Sequence, residues 1–186
     1  NAGKMVNEAI ESGDDKEAAK LLSLMTAKPE LFAVNVDETA LKNASELQKE
    51  NAKLLEVHAE QIVIISAKVE SELSELGEED QLLFLAELGV EKSGLERLIK
   101  AAYDTLGLQS FLTAGEKEVR AWTIKKGSTA VEAAGEIHTD FMKKFIRANI
   151  ANYNDFLEHD GWKGVKENGK LRTEGRDYIM REDDVV

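Results

Sequence analysis

Two short runs of apolar, largely β-branched residues, Leu31–Val36 and Ile62–Ile65, constrain the fold more than any other feature of this chain. A run without charge needs cover on both faces, which is the condition of a strand inside a parallel sheet. Between the two runs, Leu41, Ala44, Leu47, Leu54 and Leu55 recur at roughly helical spacing from about Thr39 to Val57. Strand, helix and strand make one βαβ unit with a right-handed crossover, so the carboxyl ends of both strands rise on the same edge. The run from Leu31 is accordingly expected to be a central strand. Just past the two ends stand Asn35, Asp37 and Glu38 on one side and Ser66, Ala67 and Lys68 on the other. Open α/β sheets hold their ligands there. A purely structural reading stands beside the functional one: Asn35 closes a turn and the acids cap the next helix.

The flanking segments extend this α/β layer. Residues 1–28 have a helix-forming composition, with Leu21, Leu22, Leu24 and Met25 on the apolar side and Pro29 as the stop. Further helices are predicted at about Glu79–Leu88, stopped by Gly89, and at Gly94–Leu106, stopped by Gly107. In the second of these, Ser93 and Glu96 read as a capping box, and Leu95, Leu98, Ile99, Ala102 and Leu106 as the face that packs on the sheet. From Phe111 the texture changes to "EVRAWTIKKG", a short helix "STAVEAAGEIH" and a further strand "FIRANIANY", the pattern of an α+β module.

Charge divides the chain at the same place, with net −11 over residues 1–110 and net −1 over residues 111–186. An acidic whole repels phosphates, which argues against broad nucleic-acid binding and leaves DNA out as an expected partner. With 186 residues and 42% hydrophobic content the chain holds one or two cores. The absence of cysteine excludes disulfides, thiolate metal sites and cysteine nucleophiles. His58, His138 and His159 are too scattered for a zinc site, and no residue is assigned a catalytic or metal-binding role. Neither a membrane span nor a signal segment is apparent, so the expectation is a cytoplasmic protein without a membrane partner. The start at Asn1 rather than Met suggests a fragment.

"TAGEKEVRAWTIKKGSTAVEAAGEIHTDFMKKFIRANI", Thr113–Ile150, closely resembles the TGS domain of the YchF-type, Obg-like ATPases. "GKLRTEGRDYI", Gly169–Ile179, looks like the same family's G-K-x-R-x-E-G-K-D-Y-I, and "SGLERLIKAAYDTLGL" like the helix leading into that domain. Upstream, "NVDE" resembles the family's N-x-x-E and "SAK" the last nucleotide-contacting loop of P-loop GTPases.

The resemblance implies an α/β fold followed by an α+β fold. Residues 1–28 would be the end of a helical arm, 29–110 the carboxyl-terminal part of a P-loop nucleotide-binding domain, and 111–186 a ubiquitin-like β-grasp TGS domain. It implies an ATPase that prefers ATP to GTP and associates with ribosomes. Asn35, Val36, Glu38, Ser66, Ala67 and Lys68 would be the nucleotide-contacting residues, although Asp37 competes with Glu38 as the acid that faces inward.

No G-x-x-x-x-G-K-[S/T] loop occurs in the sequence, so the Mg²⁺ ligands are expected in a missing amino-terminal part, and these residues alone are expected to be inactive. Two other readings are a noncatalytic ribosome- or RNA-binding module with a vestigial pocket, and a guanine-specific GTPase in which Asp37 takes the place of Glu38.

On the TGS-like part, Lys125, Lys126, Lys143, Lys144 and Arg147 form a candidate face for ribosomal RNA, the lysines being expected in the turns that flank the helix. Trp122 and Phe145 read either as stacking platforms beside them or as core, and His138 as structural. The chain departs from the family at Thr129–Val131, where relatives carry a proline, and at Asp183, where they carry a glycine.

Overall fold

A computed structural model describes residues 13–186, and these form two compact units, the first ending at Leu106 and the second spanning Gly107–Val186. Residues 1–12 of the expected arm helix lie outside the described residues. No helix among the described residues is long and apolar enough to cross a membrane.

The first described element of the first unit is helix α1, Gly13–Leu21, which ends well before Pro29. Ser23 takes a left-handed φ of 51°, and a short 3₁₀ turn follows at Met25–Ala27. Leu21, Leu22 and Met25 are exposed, so the side read as apolar is uncovered in this unit. Strand β1, Phe32–Asn35, leads through a 3₁₀ turn at Glu38–Asn43 into helix α2, Ala44–Leu55, and then into strand β2, Ile62–Ile65. The two strands pair in parallel from Phe32 opposite Ile62 to Asn35 opposite Ile65. The crossover expected from the spacing is therefore present.

The two strands are not equally buried. Ile62, Val63 and Ile64 are buried, whereas β1 alternates, with Ala33 and Asn35 exposed. Among the described residues β2 is the only strand paired with β1. Leu41, Ala52, Ile62, Ile64, Val69, Leu73 and Leu85 make the core, joined by the inward side of β1 at Phe32, Val34 and Val36.

Three helices complete the unit: α3 at Ala67–Ser74, α4 at Glu78–Glu87 and α5 at Gly94–Leu106. Helix α5 turns a different face to the sheet from the one read in the sequence, because Leu95, Ile99 and Leu106 are exposed. Its approach is set by Gly94. A Cβ there would lie 2.9 Å from Glu70 Oε1 and 3.1 Å from Ile65 Cγ2, so a larger residue would push on the Glu70 carboxylate and on Ile65. Glu70, on α3, accepts from the backbone N–H groups of Gly94 at 2.7 Å and Leu95 at 3.2 Å, satisfying donors that a helix start leaves open. Arg97, one turn on, donates to the Ile64 carbonyl at 3.0 Å.

The second unit is a five-stranded sheet. Strands β3, Leu108–Ala114, and β4, Val119–Lys125, form an antiparallel hairpin, followed by helices α6, Ala130–Ile137, and α7, Thr139–Lys144. Strand β5, Ala148–Asn152, helices α8, Tyr153–Glu158, and α9, Trp162–Glu167, and strands β6, Arg172–Glu174, and β7, Asp184–Val185, follow. The strand order is β4-β3-β7-β5-β6, with β7 parallel to β3 and antiparallel to β5. Phe111, Ile124, Ala130, Ala133, Ile150 and Met180 form the core under α6.

Helix α6 begins without the family's proline. Thr129 and Glu132 supply the start as a capping box: the Thr129 backbone N–H donates to Glu132 Oε2 at 2.7 Å, and the Glu132 N–H donates to Thr129 Oγ1 at 3.4 Å. The Thr129 backbone N–H, with its hydroxyl, holds the Glu132 carboxyl below its ordinary value of 4.5. A folded value below the unfolded one stabilises the fold above the unfolded pKa, and that contribution is lost as pH falls through the folded one. Glu132→Gln is therefore expected to weaken the dependence of melting temperature on pH below 4.5 while leaving the neutral-to-alkaline plateau flat, as read by thermal scans across pH.

The opposite end of the unit is locked by Asp184, which is 1% exposed. Its carboxylate accepts from Arg172 Nη2 at 2.8 Å, the Tyr178 hydroxyl at 3.0 Å and the Arg181 backbone N–H at 2.8 Å. A buried carboxylate is stable only with its acceptor positions filled in this way. Asp183, standing where relatives carry glycine, meets the turn through its backbone, its carbonyl accepting from Tyr153 N–H at 2.8 Å.

Candidate functional site

The carboxyl ends of β1 and β2 come together as the parallel pairing requires. Past Asn35, the Val36 N–H donates to the Ile65 carbonyl at 2.8 Å, carrying the ladder one residue beyond the strand. The side chain of Asn35 then crosses to the other loop, its Oδ1 accepting from the Ala67 N–H at 2.9 Å. Ala67 is the first residue of α3, so Asn35 satisfies a donor that the helix start leaves open and holds the two loops together.

Beside this bond lies Ser66, 1% exposed, whose hydroxyl has no hydrogen-bond partner among the described residues. It sits at the position before α3 and makes no cap bond. A buried hydroxyl without a partner costs about 1–3 kcal/mol, and such groups in native proteins mark places where a ligand or water completes the bonding. The Ser66 oxygen is itself covered, so what this edge, where α/β sheets bind ligands, presents is the loop backbone and the Asn35 amide.

The two acids divide between the two readings. Asp37 is the cap: its Oδ1 accepts from Thr39 N–H at 2.9 Å, Thr39 Oγ1 at 2.6 Å and Ala40 N–H at 3.0 Å, starting the 3₁₀ turn. The Thr39 hydroxyl, ahead of the Ala40 N–H, holds its carboxyl below the ordinary aspartate range. Glu38 instead meets Lys68, Oε2 to Nζ at 2.6 Å, and Glu72 lies 3.9 Å from the same ammonium. Glu38, Thr39, Lys42, Lys68, Glu72, Phe84, Glu87 and Leu88 line a cavity of about 520 Å³. Asn35, Val36, Ser66 and Ala67 are not part of its lining. The side chain of Val36 packs on the core, so a base-facing role for this residue falls to its backbone.

In the second unit Lys125 is the last residue of β4 and Lys126 begins the turn after it. Lys143 and Lys144 form the last turn of α7, not the turn expected there, because His138 caps that helix with Nδ1 accepting from the Asp140 N–H at 3.1 Å. Helix α7 runs back along α6, for the Phe145 carbonyl just past Lys144 accepts from Arg176 Nη1 at 2.9 Å and the Arg176 carbonyl accepts from the Val131 N–H at the start of α6 at 3.4 Å. Arg147 is exposed in the segment before β5.

Trp122 and Phe145 both pack against the core, and Trp122 Nε1 donates to Thr113 Oγ1 at 2.9 Å. Arg120, which the sequence reading left out, lies 4.1 Å over the Trp122 ring, and the signal for it was its place two residues away on the same strand face. Asp155, Glu158 and His159, on and just after α8, bring ligand atoms within 4.8 Å of one another. Lys170 stands 3.2 Å from Asp155 and fills that side of the group with a cation.

Comparison with known proteins agrees on one family. A family model described as "YchF-GTPase_C: Protein of unknown function (DUF933)" matches residues 108–186. The ribosome-binding ATPase YchF of Escherichia coli O157:H7 is 44% identical over 189 residues, covering 100% of this chain and 51% of that protein. That of Bacillus subtilis (strain 168) is 46% identical over 177 residues, covering 93% of this chain and 48% of the relative. Among solved structures, the Schizosaccharomyces pombe YchF GTPase matches with a TM-score of 0.77 at 32% identity, covering 98% of this chain and 49% of that one. The chain spans about half the length of the relatives it matches.

Proposed function

The chain belongs to the YchF family, matching its carboxyl-terminal part, and on that premise we propose that it supplies the base-contacting loops of a cytoplasmic, ribosome-associated ATPase. The observation that carries this reading is the Asn35–Ala67 bond, which ties the two loops together on the carboxyl edge of the parallel strands. Asn35 retains its amide N–H groups for the purine, and the backbones of Val36 and Ala67 flank it.

Preference for ATP is part of the proposal. A guanine edge offers N1–H and an exocyclic amine to a single carboxylate, whereas adenine offers no such pair. Asp37, which has the length for that role, is consumed as a cap, and Glu38 is consumed by Lys68, so neither acid is free for guanine. The phosphates and Mg²⁺ require groups from outside these residues, since the loops carry neither a glycine-rich phosphate cradle nor a carboxylate set.

The second unit is read as a TGS domain of β-grasp type, supported by a hairpin, a helix across the sheet, and a central strand supplied from late in the sequence. It is the proposed ribosome-facing part.

Two measurements test this reading. In the intact protein Asn35→Ala is expected to weaken ATP binding about tenfold by titration, since it removes the amide N–H donors and the Oδ1 bond that ties both loops. Unchanged affinity would place the base elsewhere. The 186 residues alone are expected to show no ATP turnover above background, because positioning and charge stabilisation of the transferred phosphoryl group need the missing cradle. Turnover by this chain would overturn the division of labour, whereas an intact protein that pellets with ribosomes yet binds no nucleotide would favour the noncatalytic module.

A further inference from the structure

Glu38 occupies the position of the acid that reads the base in guanine-binding loops of this kind, yet its carboxylate is turned toward α3, where Lys68 holds it at 2.6 Å. On the other side of the loop the Ser66 hydroxyl is buried and has no acceptor or donor among the described residues. The two observations are complementary: the acid nearest the loop has been drawn to the side of the 520 Å³ cavity, and a polar position inside the loop is left open. We infer that Lys68 is a positioning residue for base selection, acting on the nucleotide through Glu38 by withdrawing and neutralising its carboxylate. The inference rests on the base-contacting role proposed above for Asn35.

The chemistry follows from the edges of the two purines. A free carboxylate at the acid position accepts the N1–H and exocyclic amine of guanine and faces the N1 lone pair of adenine unfavourably. An ammonium on the carboxylate removes both effects at once, so the guanine advantage and the adenine penalty vanish together. The pair is also directional. Lys68 lies one helical turn before Glu72, whose Oε1 is 3.9 Å from the same ammonium, so the lysine stem is flanked by acids on the α3 side and draws Glu38 that way. The hydrogen bond from Lys68 to Glu38 raises the lysine's affinity for its proton above the ordinary value, and the ammonium therefore persists across neutral pH. Both partners are largely exposed, with side-chain exposures of 65% and 43%, and an exposed pair contributes little to folding. Its removal is thus expected to be read in selectivity and not in stability.

The test is Lys68→Met in the intact protein, keeping the aliphatic stem and removing the charge, with ATP and GTP titrated separately. The GTP-to-ATP affinity ratio is expected to rise about tenfold, and Lys68→Arg, which restores the charge, to return it to the parent value. In a Glu38→Gln background the Lys68→Met change is expected to leave the ratio unmoved, because the effect runs through the carboxylate. A change in both affinities by the same factor, or a ratio change that persists with Glu38→Gln, would overturn the inference. Asn35→Ala separates the two levels: if it weakens nucleotide binding while Lys68→Met leaves the ratio unchanged, the base loop stands and the role of Lys68 fails. If Asn35→Ala changes neither affinity, both fail.

Discussion

Reversing the charge of Lys125, Lys126, Lys143 and Lys144 to glutamate is expected to lower ribosome affinity about a thousandfold at roughly 0.1 M salt, while ATP turnover of the intact protein stays nearly unchanged. Each lysine that neutralises a phosphate of single-stranded RNA contributes about 0.7 to the slope of log affinity against log salt, so four remove nearly three units. At that ionic strength each unit is about a decade of affinity.

The effect requires that the cations meet one RNA surface, and the return of α7 along α6 brings Lys143 and Lys144 back toward the end of α6 that Lys125 and Lys126 precede. Cosedimentation across a salt series measures both the affinity and the slope. A quadruple variant that pellets as before, with the same salt dependence, would remove these lysines from the interface.

Gly164→Ala is expected to destabilise the second unit by about 3 kcal/mol or more, lowering its melting temperature by roughly 12 °C or more for a domain of this size. A Cβ at this position would lie 1.8 Å from the His159 carbonyl oxygen and 2.8 Å from its carbon. Both are backbone atoms, so relief requires movement of the chain between α8 and α9 and not a side-chain rotation. That chain is held tightly. The Gly161 N–H donates to the Phe156 carbonyl at 2.9 Å, Phe156 meets Trp162 edge-on at 5.0 Å, and Trp162 Nε1 donates to the Ala114 carbonyl on β3 at 2.7 Å. Gly175→Ala is the control, since nothing lies within 4 Å of its Cβ position, and it is expected to melt within about 2 °C of the parent. Thermal scans of the 186-residue chain that showed the two variants equal would mean the turn adjusts at little cost.

The sequence carried the periodic elements well and the partners of side chains poorly. Ile62–Ile65 and Gly94–Leu106 form with the bounds read from the sequence, because a β-branched block and a glycine-stopped amphipathic run are local signals. Which face of a helix meets the core is a different matter. In α5 the leucine stripe looked decisive, yet the missing Cβ of Gly94 and the reach of Glu70 set the approach, and both are contacts across the fold. The cover over β1 is likewise not legible from its run: an uncharged run shows what tolerates cover, and cover depends on neighbours that the run does not name.

At the candidate site, the meeting of Asn35 with Ala67 followed from topology, since parallel strands must end together. The pairing of Glu38 with Lys68 did not, because thirty residues separate them and only the geometry of α3 brings them together. Helix α7 escaped notice because it is six residues long and is capped by a histidine, outside the usual set of capping residues. The capping box at Thr129 and Glu132, which the sequence reading passed over, starts α6 without a proline.

The position of β7 has a consequence for how the second unit comes into being. Strands β3 and β4 on one side and β5 and β6 on the other are joined by β7, the last strand described in the chain and the middle one in the sheet. Leu112 must therefore wait for Val185, more than seventy residues later, before the ladder between the halves exists. Such long-range pairing raises the contact order, and the entropy of closing the intervening loop precedes any gain from it. A chain emerging residue by residue can form the β3–β4 hairpin and its helix early, but the buried acid at residue 184 finds Arg172 and Tyr178 only when the closing strand slots in. Completion of this sheet therefore comes late in synthesis, because the strand that joins its two halves is the last one described.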